Sequence, residues 1–243
     1  MTYCVGMLLD AGVVMLSDSR TNAGVDNISS FRKVTVFERP GDRVLVIMSA
    51  GNLAASQAVI SILRDAIKAG ADEPSLLNAP NMFEAARRMG EAIREVHRRD
   101  AAALEDFKLE FNISFVLGGQ IAGEAPRLFN VYAAGNFVEA TPETPYFQVG
   151  ELKYGKPIID RVITRHSSIE QAVKCGLVSM DSTIRSNLSV GLPLDLIVVR
   201  SGELRIGRHM VIDADNEYFR SIRSRWSEAL KHAFAALPEP DGL

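Results

Sequence analysis

The sequence predicts an α+β fold in which antiparallel sheets stack face to face and helix pairs cover both outer sides. Strand-like runs come as adjacent hairpins rather than alternating singly with helices, which argues against a doubly wound parallel sheet. Helical runs come mostly in blocks, so two sheets between two helical layers accommodate everything. The size agrees: 243 residues, 47% hydrophobic and 23% charged, suit one compact core, with or without an appendage.

Runs 3–9 and 13–18 are β-branched and aliphatic, and Asp10-Ala11-Gly12 splits them as a hairpin turn would. Runs 33–38 and 43–49 repeat the device around Arg39-Pro40-Gly41-Asp42, with a polar loop at 20–32 between the hairpins. After Ala50-Gly51 the period lengthens. Leu53, Gln57, Ile60, Leu63 and Ile67 mark a helical face that stops near Gly70. A second helix over 81–104 carries Phe83, Ala86, Met89, Ile93 and Val96 as its apolar stripe. Its other side, with Arg87, Arg88, Glu91, Arg94 and Arg98, reads as a solvated face.

Strands resume at 111–118 and 127–133, followed by a shorter pair at 136–139 and 146–149 and a short helix at 157–164. Ser167 and Glu170 read as a capping box, opening a helix that runs to about Ile184. Runs 194–200 and 203–207 close a last hairpin through Ser201-Gly202. A terminal helix over 215–236 sets Tyr218, Ile222, Trp226, Leu230 and Phe234 four apart, a face expected to pack on something apolar, with Arg223 and Arg225 left in water. The division this suggests is a sandwich domain over 1–210 and a helical extension over 211–243.

A net charge of −3 offers no basic excess to neutralise phosphates, which argues against a nucleic-acid or anionic-membrane partner. Cys4 and Cys175 are too few for a disulfide framework and sit among apolar residues, so reduced, buried thiols and a cytoplasmic location are expected. No apolar run reaches the roughly 18 residues that span a bilayer, and no charged-then-apolar leader precedes Thr2. The four histidines are scattered without partners at ligand spacing, so no metal is expected. Gly118-Gly119 lacks the rest of a dinucleotide fingerprint, and no other cofactor is indicated.

Three places offer chemistry. Removal of Met1 would leave Thr2 with a hydroxyl and a free α-amine of reference pKa about 7.7–8.0, a pair that serves as nucleophile and base in acyl transfer. Many chains begin Met-Thr without such a role. Asp18 ends the second strand and Lys33 opens the third; with strands about 4.8 Å apart, both can lie beside the Thr2 strand. There the lysine would lower the amine and hydroxyl pKa values and the aspartate would orient it. The alternative is a surface ion pair worth about 0–1 kcal/mol. Third, Ala50-Gly51-Asn52 ends a strand at a helix start, where backbone N–H groups can stabilise an oxyanion, or where glycine only makes the turn.

Thr2, Ser17-Asp18-Ser19-Arg20, Gly24, Lys33 and Ala50-Gly51 resemble, in order and spacing, the proteasome β-subunit family of N-terminal-nucleophile hydrolases. The Met-Thr-Tyr-Cys-Val-Gly start, the loop over 20–27 and the length look most like its bacterial branch, the ancestral β-subunit proteins (Anbu). The resemblance covers about residues 2–200 and is strongest through Gly51. It implies a four-layer αββα sandwich and a threonine peptidase that self-associates into a homo-oligomer, a ring or an open helical assembly. It implies Thr2 as nucleophile and base, Lys33 as the tuning group, Asp18 as its orienter and the Gly51 amide as oxyanion donor. Thr21 and Asn22 would pair with an extended peptide substrate as an added strand. A scaffold with little or no peptidase activity and a small-substrate amidase remain alternatives, with Cys4 a conceivable substitute nucleophile; no unfoldase partner is indicated. Where the family carries Gly-Ser-Gly this chain reads Gly150-Glu151-Leu152-Lys153-Tyr154-Gly155, and of an Asp-x-x-Ser-Gly support motif only Asp181-Ser182-Thr183-Ile184 begins acceptably, before an insertion at 185–193.

Overall fold

In the computed structural model, which describes residues 2–22, 28–108 and 110–241, sheet pairing follows the predicted hairpins. The first hairpin is β1 (Tyr3–Leu9) and β2 (Gly12–Asp18), and a small ribbon joins β3 (Arg20–Asn22) to β4 (Ile28–Ser30). The second hairpin is β5 (Val34–Arg39) and β6 (Arg43–Gly51), followed by α1 (Leu53–Lys68) and α2 (Met82–Asp106). Next come β7 (Ile113–Ile121), β8 (Arg127–Val131), β9 (Phe137–Glu139) and β10 (Tyr146–Gly150). The chain closes with α3 (Lys156–Val162), α4 (Ile169–Ser186), β11 (Leu194–Arg200), β12 (Arg208–Ile212) and α5 (Glu217–Ala235).

One antiparallel sheet runs β10-β1-β2-β11-β12 and the other β5-β6-β7-β8-β9. Between them lies an apolar layer built from Cys4, Leu8, Met15, Val46, Met48, Val116, Leu128 and Ile197. On the outer face of the first sheet, Tyr3, Val5, Met7 and Leu16 pack with Cys175, Met180 and Phe219 from α4 and α5. On the outer face of the second, Leu45, Phe115 and Phe129 pack with Val59 and Leu63 of α1 and Met89 and Ile93 of α2. Three apolar layers separate four structural ones, so the architecture is the expected αββα sandwich. β1 and β2 are buried along their whole length because both their faces meet other layers, and they therefore read as unbroken apolar runs.

Several local expectations need correction. The buried face of α1 is Ala55, Ser56, Val59, Ile60 and Leu63, with Gln57 exposed; small side chains let the helix approach the sheet, and a search for large apolar residues passes over them. Ser168, not Ser167, caps α4 in a box with Gln171, because the Ser167 hydroxyl accepts from Thr164 N–H instead. The shorter strands at 136–139 and 146–149 do not pair: β9 joins β8, and β10 crosses to lie beside β1.

The last hairpin returns through β12 rather than 203–207. The turn before that segment is held by Gln120 Oε1, which accepts Gly202 N–H, and within the segment Ile206 N–H donates to Glu38 Oε2. The solvated face of α2 is only partly so, since Arg88 reaches Ser75 O and Asn78 Oδ1 while Arg94 donates to Gly135 O. At the other edge of that helix Phe83 is half exposed. On α5 the predicted stripe breaks up. Ile222 is buried with Phe219, but Tyr218 is 55% and Phe234 78% exposed. Arg223 leaves the water to donate to Asp181 Oδ1 at 2.7 Å. The division suggested at 210 falls within β12. Among the described residues no helix is long and apolar enough to cross a membrane.

Candidate active site

β2 ends at Asp18 and β5 begins one residue after Lys33, which brings the two side chains together at one end of the sandwich. Lys33 Nζ lies 2.6 Å from Asp18 Oδ1 and also donates to Arg20 O at 2.7 Å. Both side chains are nearly sealed from solvent, so this is a buried pair and not the surface ion pair that spacing alone allowed. Asp18 Oδ1 also accepts Tyr3 N–H at 3.0 Å, and Oδ2 accepts Gly191 N–H at 3.3 Å. Burial pushes the Asp18 carboxyl above the ordinary carboxylate value, against the pull of the Lys33 ammonium and of these hydrogen bonds. The lysine thus sits one carboxylate oxygen away from the peptide that joins Thr2 to Tyr3.

Thr2 is buried, and its carbonyl accepts Glu151 N–H at 2.7 Å, which fixes it against the end of β10. Gly150 makes this contact possible: at φ +87° it takes a conformation other residues avoid, and a Cβ there would sit 2.1 Å from Thr2 O. At the opposite wall Gly51 has φ +100°, with room for a Cβ blocked by Asn112 O at 2.0 Å. The next residue, Asn52, caps α1 by accepting Ala55 N–H, so Gly51 lies at a helix N-terminus. Thr2, Thr21, Lys33 and Gly51 line one cleft of about 420 Å³, whose wall also includes Arg20, Ser49 and Ser114. Four of the six expected site residues therefore meet in a single cavity, with Asp18 directly behind them.

Thr21 lies on β3, backbone-paired with Ser29, and its Oγ1 is buried with no partner among the described residues. Asn22 pairs through its backbone with Ile28; its side chain, Met1 and Gly24 lie outside the described residues. Cys4 is fully buried, donating weakly to Ser49 O, and burial drives its thiol far above the range in which a thiolate forms near neutral pH. That removes it as a substitute nucleophile.

The support around the site differs from what the motifs suggested. Asp181 points away from it and joins Arg185 of α4 to Arg223 of α5. Beside Asp18 lies the insertion: Gly191 N–H reaches Asp18, Ser19 Oγ donates to Pro193 O, and Arg20 Nη1 donates to Leu188 O. Glu151 is buried where the family has serine, accepting from Lys153 N–H and Asn187 Nδ2. Beneath Thr2 runs a further chain, Gln148 Nε2 to Tyr3 Oη to Ser179 Oγ, at 2.6 and 2.5 Å. Burial pushes the Tyr3 phenol well up, so this chain stays neutral. Sequence reading missed Gly191, because a backbone donor leaves no motif; Glu151 reads only as a departure from the family pattern, without a role.

No protein-family model matches the chain, and a search of curated proteins found no match. Solved structures do match. An Anbu (Gly-1) mutant from Hyphomicrobium sp. strain MC1 is 47% identical over the whole of both chains, with a TM-score of 0.94. Anbu (ancestral beta-subunit) from Yersinia bercovieri is 50% identical over 99% of this chain and 100% of that one, with a TM-score of 0.92. The helical assembly of the Anbu complex from Pseudomonas aeruginosa gives 49% identity over 99% and 98% of the two chains, with a TM-score of 0.94.

Proposed function

Because the chain belongs to the Anbu, or ancestral β-subunit, family of proteasome-related proteins, we propose that it is a threonine-type N-terminal-nucleophile hydrolase. It cleaves peptide bonds in a cytoplasmic oligomer of its own subunits, ring or open helix. The observation that carries this reading is the buried Lys33–Asp18 pair tied to the Tyr3 amide, in the cavity that Thr2 shares with Gly51.

In this reading Met1 is removed, and the freed α-amine of Thr2 takes the proton of its own hydroxyl as Oγ1 attacks the scissile carbonyl carbon. The Lys33 ammonium supplies positive potential that favours the alkoxide, and Asp18 holds it in place. Charge collects on the former carbonyl oxygen, where the Gly51 N–H stabilises it; one such donor is worth about 10²–10³ in rate. The amine returns its proton to the leaving nitrogen, the C–N bond breaks, and an ester remains on Thr2. Water, deprotonated by the same amine, hydrolyses that ester and restores the hydroxyl. The acyl side of the peptide pairs with the backbone of β3 at Thr21 and Asn22.

Intact-mass analysis and labelling by an epoxyketone or vinyl-sulfone peptide test the proposal together. We expect a mass lacking Met1, stoichiometric labelling of the wild-type protein, and none of Thr2→Ala with its assembly unchanged. Retained methionine, or equal labelling of both proteins, leaves a proteasome-like scaffold without this nucleophile.

A further inference from the structure

The cleft extends beyond the groups used above. Along the second sheet's edge the order is Lys33 before β5, Gly51 on β6, Ser114 on β7 and Asn130 on β8. Asn130 is thus two strands from Gly51, about 10 Å across the sheet and three residues further along it, on the side away from Lys33. With the oxyanion donor between them, one end of the cleft faces the acyl part of a substrate and the other its leaving part.

The far end has an unusual floor. The inner faces of β7 and β8 carry Val116, Gly118 and Leu128 within the apolar layer between the sheets. As the same faces reach the cleft they change to Ser114 and Asn130, with Ala50 opposite Ser114 and Val116 opposite Asn130. Asn130 Oδ1 is buried and has no hydrogen-bond partner among the described residues. A buried orphan acceptor is costly, and the amide that carries it lines the cleft, so a turn of the carboxamide brings its oxygen to a partner that arrives from outside. The charged groups on the cavity wall, Arg20 and Lys33, are both at the acyl end, which leaves this end neutral.

We propose that Asn130 and Ser114, walled by Tyr132, form a leaving-group subsite that selects peptides with an uncharged hydrogen-bond-donating side chain, a carboxamide or hydroxyl, at the first or second residue past the scissile bond. The subsite rests on the peptidase reading above. Its selectivity follows from satisfying Asn130: a leaving group that cannot donate leaves the acceptor buried and unpaired.

The test is a peptide library with one fixed acyl half and all residues varied at the two positions past the scissile bond, cleaved by full-length protein in its assembled form. An epoxyketone peptide, which occupies only Thr2 and the acyl side, is applied to the wild-type protein in parallel. We expect wild type to prefer Asn, Gln and Ser over Leu by about tenfold. Asn130→Leu should lose that preference. Asn130→Asp should move it to Lys and Arg, because an ionised acceptor bonds a cationic donor more strongly. A variant that merely misfolds cannot exchange one preference for another. Wild-type labelling with a flat library, or one ranking shared by all three proteins, overturns the subsite alone. Absence of labelling overturns the peptidase reading and the subsite with it.

Discussion

Asp18 shows how much one buried carboxylate is asked to hold. Its two oxygens receive the Lys33 ammonium, the Tyr3 amide and the Gly191 amide, and it is wholly buried. Asp18→Asn would leave the Lys33 charge buried without its counter-ion. Removing one partner of such a pair costs about 3–5 kcal/mol. We expect Asp18→Asn to lower the urea midpoint accordingly and to slow epoxyketone labelling sharply. Unchanged stability would mean that Lys33 finds water or another carboxylate. At this scale the sequence was most informative where chemistry and position coincide. Thr2 is legible because its hydroxyl follows a removable methionine, Asp18 and Lys33 because they are charges at the ends of strand-like runs, and Gly51 because it ends a strand at a helix start. Gly191 was not legible, since a donating backbone amide has no residue signature; Asn130 was not, since a single polar residue inside the strand expected at 127–133 reads as one solvent-facing position.

Among the elements, regular periodicity identified strands and helices well, and errors gathered where a third element decides the outcome. Run 203–207 alternates like a strand, yet Glu203 N–H turns back to Arg200 O and Ile206 N–H is taken by Glu38 from the opposite sheet, and the pairing strand starts at Arg208. Ser167 and Ser168 both satisfy a capping pattern, and only the competing bond to Thr164 separates them. The attachment of α5 was invisible for the same reason, because an aspartate on α4 captures Arg223 from 42 residues away. Asp181→Ala removes that clasp while Phe219 and Ile222 remain buried under the helix. The arginines it frees are partly exposed and can turn to water, so the expected loss is modest, about 1–3 kcal/mol. Amide hydrogen exchange should rise across the first turns of α5 and stay unchanged in β1 and β2. Equal protection in both proteins would show that apolar packing alone holds the helix.

For the whole molecule, the αββα layering followed from hairpins and helix blocks, but the crossing of β10 into the first sheet did not. No local pattern distinguishes a strand that pairs with its neighbour from one that leaves it. The exposed end of α5 also belongs to this scale. Leu230 and Phe234 continue the stripe that Ile222 begins, yet they meet solvent in the isolated subunit. An apolar strip of this kind marks an interaction surface. Under the proposed self-association we expect Leu230→Glu combined with Phe234→Glu to shift sedimentation toward smaller species at equal concentration. An unchanged profile would place the contacts between subunits elsewhere.

Chain ends usually fray, but here Tyr3 begins an interior strand flanked on one side by β10 and on the other by β2. Under the proposed function the nucleophile therefore stands at the start of a strand that is paired on both sides. Purification tags or reporters fused ahead of Thr2 would bury the amine in a peptide bond. A handle for this protein belongs at the opposite terminus, on a linker long enough to clear the last helix.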